Sequence, residues 1–198
     1  MKRGDSLANY LPNEVASTIY DIDWKKLYLD GKRVIIFDLD NTLISYRELT
    51  PTSKLVELGK ELILMGFTTY VLTNNHYSRI EKFIKEFPAT DYGIHMNKPF
   101  IKNITAYLKE KNHPIDQNII MVGDQLVTDI ACANKLGVYS ILIKSLDRSS
   151  EHFYTKINRL RDKRIVKSIS KVDYKLALRI EEVVNKGAKK WLNASDVE

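Results

Sequence analysis

The segment Val34-Ile35-Ile36-Phe37-Asp38-Leu39-Asp40-Asn41-Thr42-Leu43 places a short apolar run directly before two aspartates. The interval Val34–Leu39 is rich in β-forming residues, which predicts a buried strand. In open parallel sheets, ligands bind beyond the carboxyl ends of the strands. Asp38 and Asp40 are therefore the first candidates for a functional site.

The sequence on the carboxyl side of this segment alternates between strand-like and helical patterns. Further strands are predicted over Phe67–Leu72, Tyr92–Met96, Asn118–Val122 and Val138–Ile143. Helices are predicted from Thr50–Pro51 to Gly66 and over Ser78–Phe87, Phe100–Lys111 and Leu126–Leu136. This alternation predicts an α/β, Rossmann-like fold with a parallel five-stranded sheet and helices on both faces.

Length and composition restrict the class of protein. A chain of 198 residues and 22.9 kDa suffices for one domain with a large core. Its one cysteine, Cys132, cannot form an internal disulfide, which favours a reducing, intracellular setting. The apolar runs are shorter than a membrane span requires, and no secretory signal is visible. We therefore expect a cytoplasmic protein.

Polar residues suited to one phosphate and one metal ion follow four of the five predicted strands. Thr73 and Asn74 follow the second strand, Lys98 follows the third, and Asp124 follows the fourth. The successive gaps from Asp38 are 35, 25 and 26 residues, each of which fits one strand-and-helix unit. The spacing therefore predicts that these residues share one edge of the sheet.

These residue types indicate phosphoryl-transfer chemistry. Asp38 is a carboxylate and can act as a nucleophile toward phosphorus. Asp38, Asp124 and Asp129 could bind Mg²⁺, with Asp40 as a further candidate ligand. Thr73, Asn74 and Lys98 would bind the remaining phosphoryl oxygens. We expect Asp40 to move protons as general acid and base, and Thr42 to hold the loop through a side-chain to backbone bond.

Each residue also has an ordinary structural interpretation. An Asp-x-Asp pair is common in turns, Thr73 could be a helix N-cap, and Gly123-Asp124 is a frequent loop pair. Suitable residues at every one of these strand ends are a more specific signal than any residue alone.

The combination resembles the haloacid dehalogenase (HAD) superfamily. Its four motifs match Asp38, Asp40 and Thr42; Thr73; Lys98; and Gly123, Asp124 and Asp129. The second aspartate of the first motif is typical of the phosphatases of that superfamily. The resemblance therefore implies a Mg²⁺-dependent phosphatase that acts through an aspartyl-phosphate.

The likeness narrows to the YqeG-like, HAD-IIIA branch. It rests on Phe37–Leu43, Thr73-Asn74-Asn75, Asn97-Lys98-Pro99, Gly123–Asp129 and Asn134–Gly137, together with Leu11–Glu14 and Asp21–Asp23. It runs from about residue 6 to about residue 167 and leaves residues 168–198 without a family interpretation. Some members of this branch are phosphatidylglycerophosphate phosphatases, so the resemblance implies a phosphorylated substrate, in particular a lipid head group.

The chain has no room for a cap domain. Only short segments separate Thr42 from the first predicted helix and Thr73 from Lys98. HAD enzymes that act on small metabolites usually carry such a cap, so the open site suits a bulky substrate. The alternative is that a second subunit or the C-terminal region covers the site.

The net charge of +6 is concentrated in the C-terminal region, where residues 144–190 hold 14 basic and 6 acidic residues. Phe153, Ile157, Leu160 and Ile165 form an apolar stripe at helical spacing. Basic residues lie between them: Arg159, Arg161, Lys163, Arg164 and Lys167. Such a helix can lie on an anionic membrane, peripheral to the inner membrane surface, or pack its stripe on the sheet.

The expected organisation is a lead-in over 1–32, a phosphatase core over 33–147 and a basic helical extension over 148–198. Two other functions stay open. One is a phosphatase of a soluble ester. The other is a nucleic-acid or ribosome-binding protein with a vestigial site, and the complete set of motif residues argues against it. The sequence leaves the oligomeric state unknown.

Overall fold

A computed structural model of the protein describes residues 6–151 and 153–184. The first residues of the expected lead-in, His152, and the end of the expected extension lie outside the described residues.

The core is a parallel sheet of six strands in the order β1-β6-β5-β2-β3-β4. The strands are β1 (Glu14–Ala16), β2 (Val34–Phe37), β3 (Thr68–Leu72), β4 (Asp91–Gly93), β5 (Ile119–Gly123) and β6 (Tyr139–Ile143). The predicted parallel α/β sheet is confirmed, and β2, which precedes Asp38, lies between β5 and β3. This central place brings the loops after three neighbouring strands to one edge.

The sheet has one strand more than predicted. β1 pairs with β6, where Glu14 lies opposite Ile141 and Ala16 opposite Ile143. Next to it, Asn13 exchanges hydrogen bonds with Ser140, accepting from the backbone N–H at 2.8 Å. A strand of three residues without an apolar run gives no periodic signal, so the sequence pattern did not reveal it.

Helices cover both faces of the sheet. They are α1 (Trp24–Leu29), α2 (Ser53–Leu64), α3 (Tyr77–Ile84), α4 (Lys102–Glu110), α5 (Ala131–Leu136), α6 (Phe153–Ile169) and α7 (Tyr174–Val184). Ile35 and Phe37 of β2 belong to the core beneath α1, α2 and α3, while Val34 and Ile36 belong to the core beneath α4 and α5. Alternate side chains of one strand thus bury against opposite layers.

The start of one predicted helix is corrected, and a second predicted helix begins with turns of another type. The side chain of Thr52, not the expected Thr50–Pro51 pair, caps α2 by accepting from the backbone N–H of Leu55. The predicted helix Leu126–Leu136 begins instead as a π-helical segment over Leu126–Ile130 before α5. Such wide turns occur often at functional sites, and this one contains Asp129.

The C-terminal helices pack against the core with a face that the apolar pattern did not identify. Of the predicted stripe, only Ile165 is buried; Phe153 and Leu160 are 73% and 59% exposed. The buried face of α6 consists of Thr155, Arg159, Asp162, Ile165, Val166 and Ile169. Arg159, expected on a solvated basic face, is therefore an interior residue. No helix within the described residues is long and apolar enough to cross a membrane.

Candidate active site

A pocket of about 300 Å³ opens at the carboxyl ends of β2, β3 and β5. Its lining comprises Asp38, Asp40, Tyr46, Thr73, Asn74, Asn75, Lys98, Gln125, Thr128, Asp129, Tyr154, Thr155 and Asn158. The structure thus brings together the residues that the sequence predicted at the strand ends. It also adds a wall from α6, which carries Tyr154, Thr155 and Asn158. We call this the strand-end pocket.

Three buried carboxylates converge at the base of the pocket. Ligand atoms of Asp38, Asp124 and Asp129 all lie within 4.8 Å of one another, and we call this set the carboxylate cluster. Lys98 lies between two of them, with its Nζ 2.6 Å from Asp38 Oδ1 and 2.8 Å from Asp129 Oδ1. One ammonium thus partly balances the cluster.

Burial and mutual repulsion dominate the electrostatics of the cluster. Burial raises the pKa of Asp38 well above its usual value, against the Lys98 ammonium, and the neighbouring carboxylates raise it further. Burial also raises the pKa of Asp124, against the attraction of Arg159. Burial by itself would lower the pKa of Lys98, but Asp129 and Asp38 outweigh it and raise that pKa. The cluster therefore favours the binding of added positive charge.

Gly123 allows Asp129 to reach the cluster. A Cβ atom at position 123 would collide with the Asp129 side chain. The π-helical segment then fixes the Asp129 carboxylate, whose Oδ2 accepts from the Gln125 backbone N–H at 3.2 Å and from the Thr128 hydroxyl at 3.1 Å. The glycine of the fourth motif is thus required by the close approach of the two residues.

The Asp40 carboxylate lies in the same pocket but is not one of the three carboxylates of the cluster, so the place of Asp40 among the metal ligands stays a prediction. Its oxygens are held by three other groups. Arg79 Nε donates to Oδ1 at 2.7 Å, Asn75 Nδ2 donates to Oδ2 at 2.6 Å, and the Thr73 hydroxyl lies 3.4 Å from Oδ2. These contacts direct the Asp40 carboxylate toward β3 and α3.

Thr73 and Asn74 lie on the pocket wall after β3, as predicted. Thr73 is buried and accepts from the backbone N–H of Asn75 at 3.0 Å. It does not cap α3, whose N-cap residue is His76. The Asn74 amide donates to the Lys98 carbonyl at 3.1 Å and accepts from the Lys98 backbone N–H at 2.7 Å. The Asn74 side chain therefore positions Lys98.

Thr42 does not hold the loop in the way expected. Its hydroxyl is buried without a hydrogen-bond partner among residues 6–151 and 153–184. The turn is instead closed by backbone bonds, with Asn41 N–H donating to Ile44 at 2.7 Å and Leu43 N–H to Leu39 at 3.0 Å. Because backbone hydrogen bonds close this turn, the Thr42 side chain is not needed to hold the loop.

The largest omission of the sequence prediction is Arg159 of α6. Its guanidinium donates to the Asp124 carboxylate and, at 2.6 Å, to the Asp124 carbonyl. Glu151 Oε1 accepts from its Nε at 2.9 Å. Asp124 Oδ2 is thus occupied, while Asp124 Oδ1 is buried without a hydrogen-bond partner in the described part of the chain. The sequence carried only a weak signal, the opposite charges of Arg159 and Asp162 three residues apart.

Further hydrogen bonds join the loop after β2 to α6 and to the segment that precedes it. The Asn41 side chain donates to Glu151 at 3.3 Å and accepts from the backbone N–H of Asp147 at 3.2 Å. The Tyr46 hydroxyl lies 3.3 Å from the Thr155 hydroxyl. The C-terminal helix therefore contacts the site through polar bonds on two sides.

The carboxylate cluster fits a hard divalent cation. Carboxylate oxygens are the ligands that Mg²⁺ prefers, and buried like charges this close repel one another unless a cation lies between them. The unpartnered Asp124 Oδ1 is a buried acceptor with no donor among the described residues. Three such carboxylates can hold a metal ion.

The chain is similar to known proteins. The sequence model of a family described as Mitochondrial PGP phosphatase matches residues 6–146. The Probable phosphatase YqeG of Bacillus subtilis is 28% identical over 162 residues, which cover 82% of this chain and 92% of that protein. The Phosphatidylglycerophosphate phosphatase 1, chloroplastic/mitochondrial, of Arabidopsis thaliana is 29% identical over 74% of this chain, and the match spans 44% of that longer protein.

Among solved structures, the hypothetical protein XCC2798 of Xanthomonas campestris aligns at 17% identity and a TM-score of 0.44, over 71% of this chain and 77% of that one. A phosphonoacetaldehyde hydrolase like protein of Oleispira antarctica aligns at 11% identity and a TM-score of 0.45, over 70% of this chain and 60% of that one.

Proposed function

This chain belongs to the mitochondrial PGP phosphatase family and is a phosphatase, and we propose that it hydrolyses a phosphomonoester through an aspartyl-phosphate on Asp38. The observation that carries the proposal is the geometry around Asp38. Its carboxylate lies at the base of the strand-end pocket, 2.6 Å from the Lys98 ammonium and among the other members of the carboxylate cluster.

In the first proposed step, an Asp38 oxygen attacks phosphorus and the bond from phosphorus to the leaving oxygen breaks. Asp40 gives its proton to that oxygen. In the second step, water attacks the phosphorus of the aspartyl-phosphate, Asp40 takes a proton from the water, and the bond to Asp38 breaks with release of phosphate. Arg79 and Asn75 fix the orientation of Asp40, which supports its role in moving both protons.

We propose that the ion held by Asp38, Asp124 and Asp129 is Mg²⁺. When bound, such an ion neutralises negative charge on the phosphoryl oxygens. Lys98 would bind another phosphoryl oxygen, and the Thr73 hydroxyl lines the same wall. Asn74 supports this set indirectly by holding the Lys98 backbone.

We further propose phosphatidylglycerophosphate as the substrate, at a membrane surface that the protein contacts peripherally from the cytoplasmic side. The name of the Arabidopsis relative, a phosphatidylglycerophosphate phosphatase, supports the head group. The open pocket at the sheet edge supports a substrate whose bulk stays outside it. A soluble phosphate ester would fit the same catalytic groups, so the test must separate the two substrates.

The test is release of inorganic phosphate from phosphatidylglycerophosphate in mixed micelles, with an aryl phosphate measured in parallel. We expect release that requires Mg²⁺, stops with EDTA and with Asp38→Asn, and prefers the lipid. Asp30→Asn is the matched control, because Asp30 is an exposed aspartate whose side chain pairs with Lys26 on the surface. Aryl phosphate turnover without lipid turnover would overturn the lipid substrate, and activity in Asp38→Asn would overturn the mechanism.

A further inference from the structure

The outer face of α6 carries three apolar side chains that are exposed on the surface of the described chain. Phe153, Ile157 and Leu160 are spaced at i, i+4 and i+7 and therefore lie on one side of the helix. Their exposed fractions are 73%, 39% and 59%. We call this set the α6 surface, and we propose that it docks on an anionic lipid bilayer. This inference rests on the proposed lipid substrate.

The α6 surface is not a packing face that happens to be partly uncovered. The opposite side of the helix is already buried, with Val166 and Ile169 fully inaccessible and packed against α7 and Leu142. Three large apolar side chains on the outward side are therefore surplus to the core. Contiguous exposed apolar side chains of this kind mark an interaction surface.

The charges around the α6 surface select an anionic partner. Lys156, Lys163, Arg164 and Lys167 of the same helix are exposed. The one acidic residue of α6, Asp162, is fully buried on the other face. Apolar side chains flanked by basic ones, with no acid between them, are the pattern of helices that lie in the plane of an anionic membrane.

The position of the α6 surface relative to the pocket strengthens the choice of a bilayer. Tyr154, Thr155 and Asn158 of the same helical turns line the strand-end pocket. The docking residues and the pocket residues thus come from the same two turns of one helix, so a helix docked through Phe153, Ile157 and Leu160 would bring the pocket close to the head-group layer. A phosphorylated head group could then reach Asp38 while its acyl chains stay in the bilayer.

Vesicle flotation with the full-length protein tests the docking surface without requiring turnover. The probes are vesicles of phosphatidylcholine mixed with phosphatidylglycerol and vesicles of phosphatidylcholine alone. We expect wild-type protein to float with the anionic vesicles, and to be released by salt. The triple variant Phe153→Ser, Ile157→Ser, Leu160→Ser should lower the bound fraction by about tenfold or more, because its apolar contacts with the bilayer are lost.

The matched control is Leu29→Ser combined with Leu64→Ser, because these leucines are also exposed, at 75% and 86%, but lie in α1 and α2. The control should float as wild type does. Turnover of an aryl phosphate should stay unchanged in the triple variant, which shows that the pocket is intact. Turnover of short-chain, monomeric phosphatidylglycerophosphate should also persist, while turnover of the same lipid in vesicles falls.

The outcomes separate this proposal from the proposed function. A triple variant that floats as wild type does, or wild-type protein that does not float, would overturn the docking surface even if lipid turnover in micelles is seen. Wild-type dimers that the triple variant abolishes, without flotation, would show that the α6 surface joins two copies instead. Flotation through the α6 surface without lipid turnover would leave the docking surface in place and overturn the substrate.

Discussion

Arg159 and Asp124 form the buried ion pair that connects the C-terminal helix to the carboxylate cluster. The guanidinium reaches both the side chain and the backbone carbonyl of Asp124, with Glu151 as a further partner. Burial lowers the pKa of Arg159, but these carboxylates outweigh it and raise that pKa, so the side chain stays charged. We infer that Arg159 is a positioning residue, which acts through Asp124 and does not itself touch the substrate.

Substitution of Arg159 should therefore reduce catalysis more than substrate binding. Arg159→Lys keeps the charge but loses the planar fork, and we expect kcat to fall roughly tenfold or more with little change in KM. Arg159→Gln should in addition cost about 3–5 kcal/mol of unfolding free energy, because it leaves buried carboxylates without their cation. Steady-state kinetics and chemical denaturation measure the two effects. Wild-type kcat in Arg159→Lys would contradict the positioning role.

Arg79 positions Asp40 in the same way that Arg159 positions Asp124. Its guanidinium also donates to the carbonyls of Ser45 at 2.8 Å and Glu48 at 2.6 Å, so it is fixed before it meets Asp40. We expect Arg79→Gln to lower kcat by roughly 10- to 100-fold, because Asp40 loses its orientation. The control is Arg164→Gln, since Arg164 is exposed on α6 and should retain wild-type turnover of an aryl phosphate. Unchanged kcat in Arg79→Gln would show that Asp40 needs no such support.

Gly123 is a residue at which one methyl group decides whether the site forms. Gly123→Ala would push the added carbon into the Asp129 carboxylate, and we expect a loss of about 1–3 kcal/mol in unfolding free energy. Because Asp129 is displaced, binding of Mg²⁺ measured by calorimetry should weaken as well. A variant with wild-type stability and metal affinity would show that the segment after Gly123 can move aside.

At the scale of elements, α6 shows what a helical pattern can and cannot predict. Its existence followed from the periodicity, but its buried face did not, because the pattern assumes that apolar residues point inward. Here Arg159 and Asp162 are buried as charged partners while Phe153 and Leu160 face outward. The three-residue strand β1 was missed for a related reason, since backbone pairing with β6 and not an apolar run defines it.

The burial of Asp162 predicts a pH dependence of stability. Burial raises the pKa of Asp162 to about 7, against the opposing charge of Arg159 and the backbone N–H of Val127, while Asp124 and Asp129 raise it further. The unfolded carboxyl ionises near its usual pKa of about 4. Between these two values the folded state binds the extra proton. This group therefore lowers the unfolding free energy by up to about 1.4 kcal/mol for each pH unit of increase, and its effect levels off above pH 7.

Asp162→Asn should remove that slope, since the amide oxygen can still accept from the backbone N–H of Val127, which lies 3.0 Å from Asp162 Oδ1. We expect the difference in unfolding free energy, variant minus wild type, to rise between about pH 4 and pH 7 and to be constant above that range. Urea denaturation at a series of pH values measures this difference. A difference that is independent of pH would contradict a raised pKa at this position.

At the scale of the molecule, the packing that supports the site extends beyond the residues that match the family model. Residues 6–146 contain the whole sheet. However, α6 and α7 bury Leu126, Val127, Ile130 and Leu142, next to Asp124 and Asp129. We therefore expect a chain that ends at residue 146 to lose cooperative unfolding in calorimetry and all turnover. A chain that ends at Val184 should keep both. Full activity in the shorter chain would show that the C-terminal helices are dispensable.

How much of the site could be predicted from the sequence depends on whether a residue is placed by a local pattern or by tertiary packing. The strand ends and their polar residues could be predicted, because local patterns place each residue at the end of a strand and parallel topology brings the ends together. Arg79 and Arg159 could not, because they reach the site through tertiary packing that leaves no motif. The orientation of the Asp40 carboxylate follows from its contacts with Arg79 and Asn75.

Chemical trapping of Asp38 tests the proposed mechanism most directly. Protein mixed with phosphorylated substrate and Mg²⁺ is quenched in acid and reduced with borohydride, which converts an aspartyl-phosphate to homoserine, and the peptide is sequenced by mass spectrometry. We predict homoserine at position 38 in wild-type protein, none without substrate, and none in Asp38→Asn. Turnover of the substrate with no homoserine at position 38, or with homoserine at Asp40 or Asp124, would contradict nucleophilic attack by Asp38.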